Sequence, residues 1–418
     1  MEKLEIIGGK KLQGSINISG SKNASLPILA ATILVNKVTL NNVPQVKDID
    51  TMTELLASLG SKIYINKNKK KIKIYNYKSN KKVAKYKYVK TMRAGILVLG
   101  SLLSKFGKAK VSLPGGCAIG LRPVNLHIEA LKKMGVKIKI IGGYIYATAN
   151  NGLKGAKISF PKVSVGATEN LIIAACKAKG RTILSNCAIE PEVKDLSNFL
   201  IKLGCKIKWL GKRKVQIDGV KNLKDINYNI MFDRIEAVTY MIAAAATNGR
   251  VSIKNIQPKI IDKEILLLKK IGVKIIEKKN KITIISSKSL KGINIKTSPY
   301  PGFPTDLQAQ LMVLMCKAKN QSIIRENIFE NRFMHVSELN RMGADIIVKG
   351  RKAIINGNKK LNGAQLMATD LRASVSLVIA ALISNKKSII NRIYHLDRGY
   401  ENIEKKLSNC GANIKRIK

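Results

Sequence analysis

The stretch LLASLGSKIYI, residues 55–65, carries the pattern that decides the fold. Leu56 and Leu59 lie three residues apart, as on one face of a helix, and Gly60 follows where helices commonly end in a left-handed residue. Ile63 and Ile65 then alternate with their neighbours, which is typical of a strand. The stretch therefore predicts a helix, a glycine turn and a strand in immediate succession.

The same pattern recurs along the whole chain. A second, more uniformly apolar helix is predicted about 35 to 45 residues ahead of each glycine, and short β-branched runs such as RTILSN and RVSIKN follow it. A repeated unit of helix, strand, helix, strand and strand at a fixed period indicates one supersecondary element used several times. The key glycines, spaced by 68 to 75 residues, are Gly60, Gly135, Gly204, Gly272, Gly343 and Gly411.

Six such units predict an α/β fold of two domains with three repeats each. The boundary falls near residue 230, since the repeats divide evenly there. The first unit contains no strand of its own ahead of its first helix, so residues 1–21 are expected to supply a strand to the second domain. The predicted domains are 22–229, and 1–21 together with 230–418.

The charge of the chain raises a different possibility. Lys and Arg number 76 against 26 Asp and Glu, a formal net charge of +50, and lysines alternate with tyrosines in residues 66–90. Single-strand nucleic-acid binders combine cations and aromatic rings in this way. The stretch KIYINKNKKKIKIYNY also alternates around a polar tip, however, which predicts a hairpin with one solvated face. The lysine enrichment extends over the whole chain, so a basic RNA-binding protein is the weaker alternative.

The start of the chain and its cysteines indicate a cytoplasmic protein. Residues 1–16 contain no apolar segment of a secretory signal, and the longest apolar runs are too short to cross a bilayer. The six cysteines include no C-x-x-C pair, so free thiols are expected rather than disulfides.

The loop SLPGGCAIGLRP, residues 112–123, places a thiol between glycines and near a cation. Cys117 follows two glycines and precedes Arg122 by five residues. An ordinary thiol has a pKa of about 8.5 and can donate a proton at neutral pH, and nearby cations lower that pKa. Cys117 is therefore a candidate acid or nucleophile, whereas a small loop hydrophobe is the alternative.

The starts of the apolar helices indicate an anionic ligand. Helix N-termini present free N–H groups and a partial positive charge. If the apolar helices of each domain run parallel, their N-termini point the same way, and a cleft between two such domains would suit a multiply phosphorylated substrate.

Several motifs together resemble the enolpyruvyl transferase family, in particular its members that act on UDP-N-acetylglucosamine. The resemblance covers essentially the whole chain in order, and rests on SKNASLPILAA, TMRAGILVLG, LPGGCAIGLRPVNLH, FPTDLQAQ, IFENRFMHVSEL, ATDLRAS and YHLDRGYENIEKKL. It implies two domains, each an inside-out α/β barrel with helices at the centre, that close on substrate. It also implies transfer of the enolpyruvyl group of phosphoenolpyruvate to the sugar 3-hydroxyl with release of phosphate, the first step of peptidoglycan precursor synthesis.

The resemblance also assigns roles to residues. Cys117 corresponds to the proton donor of the family, which forms a covalent adduct and is alkylated by fosfomycin, and Asp306 to the general base. Lys22, Asp370 and Arg398 complete the implied catalytic set. The residues implied to hold phosphoenolpyruvate are Lys22, Asn23, Arg122, Arg372 and Arg398. Those implied to bind the nucleotide sugar are Arg93, Arg122, Pro123, Val124, Asn125, Leu126, Lys162, Val163, Ser164, Val165, Asp306 and Ile328.

Each assignment has a plainer alternative in the sequence. Asp306 and Asp370 stand where helix N-caps are common, PKVSVGATEN is typical of a strand-to-helix turn, and one lysine among so many cations carries little information. Two positions depart from the family pattern, since Asn125 stands where aspartate is usual and Leu121 where alanine or serine is common. The amide of Asn125 can donate as well as accept a hydrogen bond, so the nucleotide contact there is expected to change.

No metal or cofactor is predicted. His127, His335 and His395 are scattered without metal-ligand spacing and are interpreted as structural residues. The sequence contains neither G-x-x-x-x-G-K-[ST] nor G-x-G-x-x-G, so ATP and NAD are not implied. An enolpyruvyl transferase that uses shikimate 3-phosphate is the closest alternative function, and the cysteine loop argues against it.

Overall fold

The computed structural model describes residues 2–77, 80–115, 124–285 and 289–418. The described residues form two compact units. The N-terminal unit comprises residues 20–115 and 124–231, and the C-terminal unit comprises residues 2–19 and 232–418.

The strands are β1 Lys3–Ile7, β2 Gln13–Asn17, β3 Lys37–Asn41, β4 Lys62–Asn66, β5 Lys71–Tyr75, β6 Val83–Ala84, β7 Lys108–Ser112, β8 Lys137–Ile141, β9 Tyr144–Thr148, β10 Lys157–Ser159, β11 Arg181–Ser185, β12 Lys206–Gly211, β13 Lys214–Asp218, β14 Ile226–Asn229, β15 Arg250–Lys254, β16 Lys274–Lys278, β17 Lys281–Ile285, β18 Asn294–Lys296, β19 Ser322–Arg325, β20 Asp345–Lys349, β21 Lys352–Asn356, β22 Gln365–Met367, β23 Lys387–Asn391 and β24 Asn413–Ile417. The α-helices are α1 Lys22–Ala31, α2 Lys47–Ser58, α3 Tyr86–Val89, α4 Val98–Phe106, α5 Asn125–Lys133, α6 Val165–Ala175, α7 Pro191–Leu203, α8 Arg234–Ala246, α9 Asp262–Ile271, α10 Gln308–Met315, α11 Val336–Arg341, α12 Leu371–Ile383 and α13 Ile403–Ser408. Short 3₁₀ helices span Thr32–Leu34, Arg93–Leu97, Pro258–Ile261, Thr305–Leu307 and Ile393–Arg398.

The strands form six four-stranded sheets, three in each unit, and within the described ranges none of the six closes on itself. Each sheet contains one parallel pair followed by two antiparallel pairs, as in the order β10-β11-β13-β12. The α/β fold of six repeats predicted from the sequence is confirmed.

Three strands pair outside the repeat that follows them in the chain. β1 lies between β23 and β24 of the C-terminal unit and is antiparallel to both. β2 directly precedes α1 but pairs in parallel with β15 of the C-terminal unit. β14 directly precedes α8 but pairs in parallel with β3 of the N-terminal unit. The missing leading strand of the first repeat is therefore β14, contributed from the end of the N-terminal unit.

The glycines that define the repeat all adopt the conformation that their position requires. Their φ angles lie between 86° and 109°, a region that side chains with a Cβ rarely occupy. At Gly204, for example, α7 ends at Leu203, the glycine N–H donates to the Ile201 carbonyl, and β12 begins at Lys206. The glycine thus reverses the chain from helix to strand within two residues.

Each unit packs its three sheets against apolar helices. The central helices are α1, α4 and α6 in the N-terminal unit and α8, α10 and α12 in the C-terminal unit. All residues of α8 and α10 are buried. A helix that is buried on every face lies inside a core, so these helices position the residues at their N-termini rigidly.

The hairpin, the cysteines and the apolar helices were also subjects of sequence predictions. β4 and β5 form the predicted hairpin with a solvated face. The described cysteines are free and buried, whereas Cys117 lies outside the described residues. In the described part of the chain, no helix combines the length and apolarity that crossing a bilayer requires.

Candidate active site

Lys22 lies at the N-terminus of α1, where the sequence placed it. The Ser21 side chain caps this helix by accepting a hydrogen bond from the Ala24 N–H at 3.2 Å. The Lys22 ammonium lies 3.3 Å from the Asp48 carboxylate, and the two side chains are only 12% and 6% exposed. Asp48 therefore holds the lysine beside the first turn of the helix, next to the half-buried Asn23. The binding of phosphoenolpyruvate by these two residues stays a prediction.

Arg93 and the residues around α5 lie together with a buried histidine. Arg93 begins a 3₁₀ helix, and Val124 to Leu126 form the start of α5. Burial, together with the charge of Arg93, lowers the pKa of His127 to about 3. The side-chain amide of Asn170 lies 2.9 Å from His127 Nδ1, so the neutral ring accepts a hydrogen bond there. The interpretation of His127 as a structural residue agrees with this contact.

The segment Lys162 to Val165 leads from β10 into α6. Ser164 is the N-cap of α6, since its hydroxyl accepts a hydrogen bond from the Ala167 N–H at 3.3 Å. The strand-to-helix turn is thus confirmed. Lys162 and Val165 are exposed and Val163 is half-buried, and their contact with a nucleotide stays a prediction.

Three of the site residues inferred from the resemblance, Cys117, Arg122 and Pro123, lie outside the described residues, as does Leu121. Their predicted roles stay predictions.

Asp306 lies between two buried arginines of the C-terminal unit. Its Oδ1 accepts a hydrogen bond from Arg332 Nη2 at 2.9 Å, and its Oδ2 accepts one from Arg372 Nη2 at 2.8 Å. The arginine side chains are 3% and 4% exposed, whereas that of Asp306 is 29% exposed. Although burial disfavours the charge of Arg372, the Asp306 carboxylate raises the pKa of this guanidinium. The N-cap positions of this 3₁₀ turn and of α10 are Pro304 and Leu307, so the alternative that Asp306 is the N-cap is wrong.

Asp370 is a helix cap. Its carboxylate accepts hydrogen bonds from the N–H groups of Arg372 at 2.8 Å and Ala373 at 3.2 Å at the start of α12. The plainer of the two sequence interpretations is therefore confirmed, and a catalytic role stays a prediction. Burial lowers the pKa of the adjacent His335 to about 4, although the negative charge of Asp370 opposes this shift.

Arg398 and Ile328 are the remaining site residues, inferred from the resemblance, that lie within the described part of the chain. Arg398 is the last residue of a 3₁₀ helix. Burial, and to a lesser extent the charge of Arg398, lowers the pKa of His395. The N–H of Ile328 donates to Glu326 Oε1 at 2.8 Å. Among the described residues, no group of three or more His, Cys, Asp or Glu side chains is arranged to hold a metal ion.

The sequence interpretation missed two residues that shape this site, Arg332 and Glu326. Glu326 is 1% exposed, and its carboxylate accepts four hydrogen bonds. The donors are Thr297 Oγ1 at 2.8 Å, Thr305 Oγ1 at 2.9 Å, the Ile328 N–H at 2.8 Å and the Phe329 N–H at 3.2 Å. Glu326 therefore fixes both the turn that carries Asp306 and the segment that carries Ile328. The available signal was an acid directly after a strand, in a chain that is poor in acids.

Comparisons with known proteins place this arrangement in a family. The sequence pattern of EPSP synthase (3-phosphoshikimate 1-carboxyvinyltransferase) matches residues 6–407. The chain is 68% identical to a UDP-N-acetylglucosamine 1-carboxyvinyltransferase of Pelagibacter ubique (strain HTCC1062) over 418 residues, which covers both chains completely. It is 54% identical to the protein of the same name from Rickettsia canadensis (strain McKiel), again over the full length of both.

Solved structures share the fold at much lower sequence identity. The enolpyruvyl transferase NikO from Streptomyces tendae superposes with a TM-score of 0.89 at 22% identity, covering 99% of this chain and 98% of its own. An EPSP synthase from Acinetobacter baumannii superposes with a TM-score of 0.77 at 19% identity over the full length of both chains. With a family pattern matched over residues 6–407 and relatives more than half identical over their whole length, the chain belongs to the EPSP synthase family of enolpyruvyl transferases.

Proposed function

We propose that the protein transfers the enolpyruvyl group of phosphoenolpyruvate to the 3-hydroxyl of UDP-N-acetylglucosamine and releases phosphate, as the first committed step of peptidoglycan precursor synthesis. The observation that carries the proposal is the 68% identity, over the whole chain, to a protein named for this reaction. An identity of 19% to EPSP synthase supports the shared fold only, so shikimate 3-phosphate is the less favoured acceptor.

In the proposed reaction, the carboxylate of Asp306 takes the proton of the sugar 3-hydroxyl. Its two oxygens accept guanidinium hydrogen bonds from Arg332 and Arg372, which hold the carboxylate in a defined orientation. The side chain is 29% exposed, so a substrate hydroxyl can reach it while the arginines hold it in place. The 3-oxygen then forms a bond to C2 of phosphoenolpyruvate while C3 takes up a proton.

We assign the proton donor to Cys117 and the binding of the anionic groups to cationic side chains. In the tetrahedral intermediate that results, the bond from C2 to the phosphate oxygen breaks and the Cys117 thiolate takes a proton back from C3, which restores the double bond. Asp306 gives up its proton as phosphate departs. Lys22 at the N-terminus of α1 is placed to attract the phosphate, because the free N–H groups of the first turn add to its charge. Arg122, Arg372 and Arg398 would meet the remaining charges of the ester, with Asn23 beside Lys22. Asp370 would act through the start of α12, where it caps the helix.

The nucleotide sugar is assigned to the other residues inferred from the resemblance. Arg93, the start of α5 and the turn before α6 all belong to the N-terminal unit. Ile328 and Asp306 belong to the C-terminal unit, and Glu326 orders the segments that carry both. Each compact unit corresponds in this proposal to one enolpyruvyl transferase domain, 22–229 and 1–21 with 230–418. The proposed setting is cytoplasmic, with small-molecule substrates and without a nucleic-acid or membrane partner.

The test is release of inorganic phosphate from phosphoenolpyruvate with each acceptor offered separately. Phosphate release with UDP-N-acetylglucosamine, and none with shikimate 3-phosphate, is the expected result. Release only with shikimate 3-phosphate would overturn the acceptor assignment. Absence of turnover, combined with salt-sensitive binding of single-stranded RNA, would favour the nucleic-acid alternative that the +50 charge suggests.

A further inference from the structure

Asp306 belongs to a closed ring of hydrogen bonds within the C-terminal unit. Arg372 reaches the Asp306 carboxylate through Nη2 at 2.8 Å and the Tyr400 hydroxyl through Nη1 at 3.1 Å. The Tyr400 hydroxyl lies 3.1 Å from Thr239 Oγ1. Gln310 Nε2 donates to Thr239 Oγ1 at 3.1 Å and to the main-chain carbonyl of Asp306 at 2.9 Å. The ring thus returns to the residue from which it began.

The direction of the bond between Arg372 and Tyr400 follows from chemistry, whereas either hydroxyl can donate in the bond between Tyr400 and Thr239. A guanidinium can only donate, so the phenol oxygen accepts from Arg372 and its own hydrogen is available for Thr239 Oγ1. A phenylalanine at this position could not accept the Arg372 N–H. That N–H would then be buried without an acceptor, because Arg372 is only 4% exposed.

The ring is buried in the core of the C-terminal unit except at the Asp306 side chain. Tyr400, Thr239 and Gln310 are at most 2% exposed. Thr239 lies in α8, Gln310 in α10 and Arg372 in α12, the three central helices. The Asp306 side chain is the member that reaches solvent, at 29% exposure. Three packed helices therefore determine where an accessible carboxylate points.

We propose that Tyr400 is a positioning residue for the transfer reaction. Its hydroxyl accepts a hydrogen bond from Arg372 Nη1 and so fixes the guanidinium, whose Nη2 orients the Asp306 carboxylate and stabilises its anion. The kinetic part of this proposal rests on the proposed function, in which Asp306 is the base. The electrostatic part concerns the protein without substrate. A base that is held by preorganised donors loses little free energy to reorientation when the proton is transferred.

The chain offers a matched control in Tyr240. This tyrosine is also buried in the core of the C-terminal unit, at 1% exposure. Among the described residues, no hydrogen-bond partner lies within reach of its hydroxyl. Replacement by phenylalanine removes the same atom at both positions, but only Tyr400→Phe removes a link to Arg372.

The first readout is the carboxyl titration of Asp306 in the substrate-free protein, followed by NMR of ¹³C-labelled aspartate and assigned by its loss in Asp306→Asn. Tyr400→Phe should raise the pKa of Asp306 by about half a unit or more, since a less constrained Arg372 stabilises the anion less. Tyr240→Phe should leave it unchanged. An equal pKa in Tyr400→Phe, Tyr240→Phe and the unmodified protein would overturn the proposal, whatever the substrate proves to be.

The second readout is phosphate release as a function of pH. Tyr400→Phe should lower kcat about tenfold with little change in KM, and should move the acidic limb of the kcat profile to higher pH. Thr239→Val removes a hydrogen-bond partner of the Tyr400 hydroxyl and leaves Arg372 untouched, so it should lower kcat and shift the acidic limb in the same direction, each by less. An inactive unmodified protein would refute the proposed function, while the carboxyl titration would still decide the role of Tyr400.

Discussion

Replacement of Glu326 by glutamine tests whether one buried carboxylate organises the site. Its four hydrogen-bond donors come from Thr297, Thr305, Ile328 and Phe329, and the side chain is 1% exposed. A carboxylate accepts at both oxygens, whereas an amide accepts at one and donates from the other end. In Glu326→Gln the amide oxygen can keep the three bonds made by Oε1, and the Thr305 hydroxyl must turn to accept.

The magnitude follows from the number of bonds that change. A hydrogen bond to a charged group contributes about 1.5–3 kcal/mol and one between neutral groups about 0.5–1.5 kcal/mol, so each retained bond loses about 1 kcal/mol. With the reversal of the fourth bond, the free energy of unfolding should fall by about 3–4 kcal/mol. KM for UDP-N-acetylglucosamine should rise as well, because Thr305 precedes Asp306 and Ile328 is itself assigned to that substrate.

The assay is urea unfolding of both variants, with phosphate release measured in parallel. Glu330→Gln is the control, since this residue lies in the same segment but pairs with Arg351 at 3.3 Å while both side chains are 49% exposed. An exposed pair of this kind contributes about 0–1 kcal/mol. If Glu326→Gln unfolds at the same urea concentration as Glu330→Gln and keeps the KM of the unmodified protein, the assignment of Glu326 as an organising residue is refuted.

Three further outcomes are expected. Cys117→Ser should lose most of its turnover and all fosfomycin alkylation, the latter measured by mass spectrometry. The described cysteines are buried and should stay unmodified in the parent protein. Near-normal phosphate release by Cys117→Ser would remove Cys117 from the mechanism. Burial raises the pKa of Asp195 from 3.8 to about 6, so the folded state binds the proton more tightly than the unfolded state, and the free energy of unfolding falls by about 3 kcal/mol as pH rises through this interval. Asp195→Asn should therefore show a flatter dependence of the urea midpoint on pH between pH 4 and pH 7, and an unchanged slope would contradict this. Gly204→Ala should lower the free energy of unfolding by about 1–2 kcal/mol, because the φ angle of Gly204 is 109°. No atom lies within 4 Å of an added Cβ, so this loss comes from backbone conformation alone. Gly204→Asn should lose less, and equal stability of all three proteins would exclude backbone strain as the reason for this glycine.

The local features of the fold could be predicted from the sequence because they depend on neighbouring residues. Gly204 ends a helix because of its own conformational freedom, and the β4–β5 hairpin follows from alternation around a polar tip. The pattern of PKVSVGATEN likewise predicted the turn that Ser164 caps. Six copies of such local signals were sufficient to predict an α/β fold of six repeats.

The candidate site was predictable only in part, for a related reason. The helix starts that carry Lys22 and Asp370 could be located, because capping is a local interaction. At Asp306 the same rule suggested a cap, but the carboxylate instead meets guanidinium groups 26 and 66 residues away in the chain. Periodicity along the chain contains no information about which side chains meet across a core.

The sequence by itself determined the repeated unit, the glycines that end its helices and the family to which the chain belongs, since short-range sterics and hydrophobic patterning encode the first two and motif order the third. The sequence also indicated that residues 1–21 supply a strand to the second domain, but only the tertiary structure decided that β2 pairs with β15 and that β14 pairs with β3. It also decided that Glu326 and Tyr400 hold the surroundings of Asp306. These choices depend on packing between segments far apart in the chain, where shape and the satisfaction of buried polar groups select the partner.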